Sequence, residues 1–291
     1  MISERKLLIG LIGAGIQRSL TPAMQEQEAR HHGLSLHYQL IDLDLAREGA
    51  NALPALLGAA GTFGFSGLNI TFPCKQAVMP LLDELSEEAR AMGAVNTVVF
   101  RRDGRHVRTV GHNTDGSGWA WGFRRALPAA RLDRVVLLGA GGAGSAIAHA
   151  LLRLGAARLA IVDRDGARAA DLARQLGPIY GAERIEAVSD AAAALQGASG
   201  LVHATPTGMD KLPGLPLDAA LLHPQLWLSE IVYFPLQTAL LSAARRIGCA
   251  TADGGHMAVG QAVGAFELFT GKAPVAARMD AHFRRLVTAA R

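Results

Sequence analysis

An α/β fold in two domains is predicted by three features: strand-like apolar runs alternating with helical ones from residue 7 onward, a glycine-rich turn between two apolar strands in mid-chain, and a polar, glycine-rich break just before that turn. The first domain is expected to carry a mainly parallel sheet and the second a doubly wound, Rossmann-type sheet, with a cleft between them. A chain of 291 residues suits two domains of ordinary size, and a hydrophobic content of 50% excludes broad disorder.

In the first domain, strands are expected at residues 7–12, 37–43, 66–71 and 96–100, with helices over 22–33, 49–57 and 76–90. Arg101, Arg102 and Arg105 lie around Gly104 between Phe100 and Val107, which predicts a charged hairpin tip. The pattern breaks at residues 111–118 and resumes as a helix over 119–127, with Trp119 and Trp121 expected at the hinge. Further strands are expected at 134–138, 158–162, 184–188, 200–204 and 226–232, with helices between them. Gly254 and Gly255 punctuate the end of this domain, and helices over 257–269 and after Pro274 are expected to return to the first. The domains are accordingly drawn as 1–113 with 256–291, and 114–255.

The mid-chain turn carries the clearest chemistry. Gly139 permits a tight turn, Gly141 and Gly142 let backbone approach a pyrophosphate, and a helix opening near Ala143 aims free N–H groups at the phosphates. Asp163 follows Gly139 by 24 residues, where an acid can accept ribose hydroxyls. A dinucleotide is the expected cofactor. An earlier turn, Gly13-Ala14-Gly15, lacks the next glycine, since position 18 is Arg, and no acid is read at the right distance beyond it. That turn is expected to bring Ser19 and Thr21 close to a ligand instead.

Only four of the 29 basic residues are lysines: Lys6, Lys75, Lys211 and Lys272. An amine can surrender its proton near neutrality and a guanidinium cannot, so a lysine in an apolar motif invites a catalytic reading. Lys75 follows Phe72-Pro73-Cys74, and Asp115 sits at the domain junction. Together they can take the proton of an alcohol whose hydride leaves. A surface ion pair capping two helices accounts equally well for their spacing.

These motifs carry a resemblance. Residues 19–24, 67–75, 93–97, 111–115, 139–144, 204–209, 232–235 and 257–262, in that order, resemble the shikimate dehydrogenase family over nearly the whole chain, and within it the NAD-dependent quinate/shikimate dehydrogenases. The resemblance implies a substrate carboxylate held by Ser19 and Thr21, with Tyr233 contacting it from the cofactor side. It implies ring hydroxyls bound by Asn69, Thr71, Asn96, Asp115 and Gln261, and Lys75 with Asp115 as the acid/base pair. Cofactor contacts are implied for Gly139, Ala140, Gly141, Gly142, Ala143, Gly144, Asp163, Arg168, Thr205, Pro206, Gly254 and Met257.

Three departures refine it. NADP-using members carry an Asn-Arg-Thr run after the second strand, and this chain has Asp163-Arg164-Asp165. Two carboxylates repel a 2′-phosphate, which favours NAD, although Arg164 and Arg168 can compensate. Thr21 stands where biosynthetic shikimate enzymes have Ser, which points towards quinate. His203 replaces an Asn before Ala204-Thr205-Pro206.

Rival readings are an NADP-dependent shikimate dehydrogenase, an aminoshikimate dehydrogenase, and a sensor binding quinate and nucleotide without turnover. A methylenetetrahydrofolate dehydrogenase needs a tyrosine four residues before its lysine, where this chain has Thr71. The net charge of +4 is scattered, which implies a small anionic ligand and not nucleic acid. No apolar run is long enough to span a membrane, and the opening residues run into a strand without a leader. Cys74 and Cys249, remote from each other, predict no disulfide and a reducing cytoplasm, with Cys74 a buried apolar group. His31, His32 and His37 lack metal-ligand spacing, so no metal is expected. Phe266, Leu268 and Phe269 read as helix core, and a monomer or homodimer is expected.

Overall fold

The computed structural model describes residues 6–289. It divides into two compact units, Met1–Thr114 with Gln261–Arg291, and Asp115–Gly260.

The first unit is built on β1 (Leu7–Gly13), α1 (Thr21–His31), β2 (Leu36–Asp42), α2 (Leu53–Phe63) and β3 (Gly67–Ile70). β1 pairs in parallel with β2 and with β3. Pro22 starts α1, where its missing N–H costs nothing. α2 is preceded by a 3₁₀ turn at Gly49–Ala52 and stops at Gly64, whose φ of 87° is the left-handed exit glycine allows. Side chains alternate along β1. Ile12 joins Leu68, Ile70, Val98 and Phe100 on one face of the sheet. Ile9 and Leu11 join Tyr38 on the other.

The helix expected over 76–90 does not form as one piece. It is divided into α3 (Cys74–Ala77), a 3₁₀ turn at Met79–Leu81, β4 (Glu84–Leu85) and α4 (Glu87–Met92). Pro80 offers no N–H to continue a helix, and the Asp83 carboxylate accepts the Thr109 N–H at 2.7 Å and its hydroxyl at 2.8 Å. Ser86 then opens a new helix by accepting the Ala89 N–H. β5 (Thr97–Asp103) and β6 (His106–His112) form the predicted hairpin around Gly104 and Arg105, in register from Asp103↔His106 to Thr97↔His112. The sheet order is β2-β1-β3-β5-β6-β4, antiparallel only at β3–β5 and β5–β6.

The second unit opens with α5 (Asp115–Ala126), which starts at Asp115 and not at Trp119 despite Gly116 and Gly118. β7 (Arg134–Leu138), α6 (Gly142–Arg153), β8 (Arg158–Val162), α7 (Gly166–Tyr180), β9 (Ile185–Ala187), α8 (Ala191–Leu195), β10 (Gly200–His203) and β11 (Trp227–Glu230) follow. α9 (Ala239–Ile247) leads to β12 (Ala250–Ala252), a short strand the sequence pattern did not suggest. All five pairings are parallel, and the order β12-β11-β10-β7-β8-β9 is the doubly wound arrangement. Val135, Leu137, Leu159, Ile161 and Val202 face one core and Val136, Leu138, Ala160, Leu201 and Leu228 the other, so both faces are covered.

Trp119 belongs to this unit's core and not to a hinge. It stacks on Phe123 at 4.8 Å between centroids, and its indole N–H donates to Ser229 Oγ at 3.0 Å. α10 (Gly254–Thr270) begins at the double glycine, three residues earlier than expected. Its first turns pack within the second unit: a Cβ on Gly260 would lie 2.3 Å from the Gly118 carbonyl oxygen, and one on Gly122 would lie 2.7 Å from His256 Cβ. The first unit therefore resumes only at Gln261, not at 256. There Ala265, Phe266 and Phe269 are buried, and Phe269 fills the space over Gly67. α11 (Ala276–Ala289) buries Met279, Phe283 and Val287, spaced four residues apart. Arg278 clamps the buried Glu28 of α1 through two charge-assisted bonds, of 2.8 and 2.6 Å. Among the described residues no helix is long and apolar enough to cross a membrane.

Candidate active site

Candidate residues of the first unit gather at the carboxyl ends of its parallel strands. The Gly13–Leu20 loop leaves β1 and carries Ser19 to the start of α1, where Thr21 N–H donates to Ser19 Oγ at 3.3 Å. An acid does end β2. Asp42 accepts N–H bonds from Gly15 at 2.9 Å and Ile16 at 3.3 Å, and a third bond from Gln17 Nε2 at 3.0 Å. The amides of this early glycine turn are thus filled by the chain's own carboxylate. Burial would raise the Asp42 carboxyl, but the bonds from Gln17, Asp44, Gly15 and Ile16 outweigh it and hold the group below the usual carboxylate range.

Asn69 and Thr71 come from the end of β3. Thr71 N–H donates to Ile12 O at 2.9 Å, and its methyl occupies the space a side chain on Gly13 would need. The cis Phe72–Pro73 bond leads into α3, where Lys75 is half-buried and its carbonyl accepts the Val95 N–H at 2.8 Å. Burial pushes the neighbouring Cys74 thiol up, as a small apolar group requires.

A chain of hydrogen bonds joins several of these groups. Tyr38 Oη donates to Asn69 Oδ1 at 2.7 Å, and Asn69 Nδ2 donates to Thr97 Oγ1 at 3.1 Å. Thr97 Oγ1 donates to Asn96 Oδ1 at 2.9 Å, and Asn96 Nδ2 donates to Thr114 Oγ1 at 2.9 Å. Thr114 Oγ1 ends the chain on the Gln261 carbonyl at 3.1 Å. The Thr97 and Thr114 hydroxyls each accept one bond from an amide nitrogen and donate one, which sets the orientations of both amides. Asn96 is buried at 2% exposure and Asn69 is half-buried. Tyr38, Thr97, Thr114 and Asp42 escaped the sequence reading. Only Asp42 left a signal there, as an acid ending a strand.

The second unit supplies Asp115, the buried first residue of α5. Its glycine turn lies at the switch point, between the carboxyl ends of β7 and β10. A Cβ on Gly139 would lie 2.6 Å from Ala204 O, and one on Gly144 would lie 1.9 Å from Gly139 O. Both glycines are therefore demanded by the protein's own packing. Gly141 differs: a Cβ there would meet nothing within 4 Å. Its openness beside the first turn of α6, with Gly142 and Ala143, leaves room for a phosphate against amides that lack intrahelical partners.

Asp163 Oδ2 accepts the Ala140 N–H at 2.7 Å and Oδ1 accepts the Asp165 N–H at 2.9 Å. Each oxygen keeps a lone pair for a ribose hydroxyl. Asp165 caps α7 through the N–H groups of Ala167 and Arg168, and the exposed Arg168 guanidinium lies 3.7 Å from its carboxylate. Thr205 and Pro206 follow β10, and Tyr233 follows β11, half-buried. Asp253 accepts the Gly255 N–H at 3.0 Å as α10 begins, which places Gly254 and Met257 in its first turn. A Cβ on Gly254 would lie 2.3 Å from Val232 O. Among the described residues no group of three His, Cys, Asp or Glu could hold a metal ion.

Comparison with known proteins places this architecture. Residues 11–98 match the shikimate dehydrogenase substrate binding domain, and residues 124–198, around the glycine turn, match the ThiF family. A shikimate dehydrogenase (NADP(+)) of Streptomyces avermitilis is 55% identical over 98% of this chain and 97% of its own. The chain belongs to the shikimate dehydrogenase family. A relative from Corynebacterium efficiens, a quinate/shikimate dehydrogenase (NAD(+)), is 46% identical over 98% of this chain and 100% of its own. Among solved structures, quinate dehydrogenase from Corynebacterium glutamicum in complex with NAD aligns with a TM-score of 0.87 and 46% identity, covering 96% of this chain and 99% of that one. Shikimate 5-dehydrogenase from Thermus thermophilus in complex with NADP(H) and shikimate aligns with a TM-score of 0.83 and 32% identity, covering 96% and 99%. Solved members of this family in complex with either dinucleotide thus share this fold.

Proposed function

We propose that this protein is a dehydrogenase of the secondary alcohol of quinate and, as a second substrate, shikimate, with NAD preferred over NADP. Family membership supports the coarser activity, oxidation of a CH–OH group with a nicotinamide dinucleotide. The preference for NAD rests on one observation: Asp163 is held at the end of β8 with an oxygen on Ala140 N–H, beside the glycine turn, and the exposed Asp165 follows it. A fixed carboxylate accepts two ribose hydroxyls and repels a 2′-phosphate.

Ser19 and Thr21 offer short hydroxyl donors for the substrate carboxylate, with Tyr233 as a further contact. Asn69, Thr71, Asn96 and Gln261 orient the ring hydroxyls. Lys75 takes the proton of the reacting hydroxyl as the carbon becomes a ketone, and Asp115 holds that hydroxyl and the amine in place. The nicotinamide ring, when bound, accepts the hydride. Gly141, Gly142, Ala143 and the first turn of α6 would hold the pyrophosphate, and Thr205, Pro206, Gly254 and Met257 would make further contacts with the cofactor.

A second reading has its own support: an NADP-dependent shikimate dehydrogenase. The relative at 55% identity bears that name, and Arg164 and Arg168 lie exposed beside Asp163. Steady-state kinetics with both acids and both dinucleotides decide between them. The expected result is a kcat/KM at least about tenfold higher with NAD than with NADP. Faster turnover with NADP overturns the NAD assignment, and absence of turnover with either overturns the enzyme.

A further inference from the structure

His203 and Glu230 form a buried pair that the proposed chemistry does not use. They are the last residues of β10 and β11, paired side by side one strand over from the switch point, and both side chains are 0% exposed. Glu230 Oε1 accepts from His203 Nδ1 at 2.9 Å and from the N–H groups of Ile231 at 2.9 Å and Val232 at 3.0 Å. Its Oε2 accepts from Thr238 Oγ1 at 3.2 Å. With its Nδ1–H committed to the carboxylate, the ring is fixed, and Nε2 points to the Thr205 hydroxyl, which also accepts the Thr207 N–H at 3.3 Å.

Thr205 is the end of this chain of contacts, and its place is informative. Its Cγ2 would lie 3.1 Å from a Cβ on Gly139, so the threonine borders the glycine turn directly. The same carboxylate fixes the backbone of Ile231 and Val232 just before Tyr233. A packed apolar pair would hold two strand ends together without desolvating a charge. The polar pair does what an apolar one cannot: it orients a hydroxyl.

We propose that His203, anchored by Glu230, is a positioning residue for the dinucleotide, acting through Nε2 to fix the Thr205 hydroxyl beside the Gly139 turn. This rests on the reading of the glycine turn as the cofactor site. An asparagine at 203 can place its amide where Nδ1 lies and keep Glu230 satisfied, but it cannot reach Thr205. A glutamine can place its amide where Nε2 lies.

The test measures dissociation constants of NADH and NADPH by fluorescence titration on the purified protein, together with Tm. His203→Asn is expected to weaken binding of the preferred dinucleotide about tenfold with Tm near the wild-type value, whereas His203→Gln stays within about threefold. Thr205→Val, which leaves the buried pair intact, is expected to match His203→Asn, and the double variant to be no worse than either. Unchanged binding in Thr205→Val overturns the proposal, as does equal weakening in both His203 variants. If the wild type binds neither dinucleotide, the cofactor-site reading itself falls, and this proposal with it.

Discussion

Asp42 fills, from within the chain, the anion position of the Gly15 turn: its Oδ1 accepts the Gly15 N–H at 2.9 Å and its Oδ2 the Ile16 N–H at 3.3 Å. The turn after β7 has the same strand, glycines and terminal acid, yet Asp163 takes only the Ala140 N–H of the turn and leaves the α6 terminus to a ligand. One turn is closed by its own acid. The other stays open, as the proposed phosphate site requires.

Asp42→Ala is expected to cost about 1 kcal/mol, because it strands the buried Ile16 N–H and loosens the Gly15 and Gln17 contacts of the Ser19 loop. The wild type's advantage should depend on pH with a definite sign. Its carboxyl is depressed in the folded state, so the stabilisation is complete above the unfolded-state value of about 3.9 and is lost as pH falls through the lower folded value. Tm measured from neutral pH downward should therefore converge for the two proteins in acid.

Arg278→Ala is expected to cost about 2 kcal/mol, less than a fully buried pair because a third of the arginine is exposed. The carboxylate it leaves on α1 is 2% exposed. Burial would raise Glu28, and the hydrogen bonds from Arg278 and Val275 overcome it, so the wild type's advantage over the variant should shrink as pH falls and the carboxylate takes up a proton. Urea unfolding at neutral and acidic pH reads both effects.

Gly144→Ala and Gly141→Ala should separate folding from binding. The first drives a Cβ into Gly139 O and is expected to destabilise the protein by about 1–3 kcal/mol. The second meets nothing in the protein and should keep the wild-type Tm while weakening NADH binding at least about tenfold. Calorimetry and fluorescence titration suffice.

Lys75→Ala is expected to lower kcat by about 10²–10⁴-fold with little change in NADH binding. Near-normal turnover would remove Lys75 from the proton transfer.

Tyr38→Phe is expected to raise KM for the acid substrate several-fold, because it frees the Asn69 amide to rotate, at a stability cost of about 1 kcal/mol. NADH affinity should not move.

The doubly wound unit was legible because its signals are local. Gly139, Gly144 and Asp163 lie within one β-α-β span, and strand parity along β7 and β8 sorts residues between two cores. The 76–90 stretch was misread because Pro80 and Ser86 outweigh its apolar spacing, and β12 because three residues carry too little pattern. The supporting groups of the site were hidden for another reason. Asp42 reaches Gly15 across 27 residues, Tyr38 reaches Asn69 across 31, and Thr114 reaches Gln261 across 147, distances at which spacing has no predictive force. His203 stood out in the sequence, but its partner Glu230 did not, since only parallel strand pairing sets them side by side.

The β5–β6 hairpin makes one part of the substrate side adjustable. Because Thr97 pairs with His112 at its open end, Asn96 meets Thr114 whatever the reach out to Gly104 and Arg105. Residues added or removed one per strand would lengthen or shorten the arm and leave that meeting point where it is. An unmatched residue would have to be absorbed at the tip, as a bulge or a longer turn, for that meeting point to stay in place.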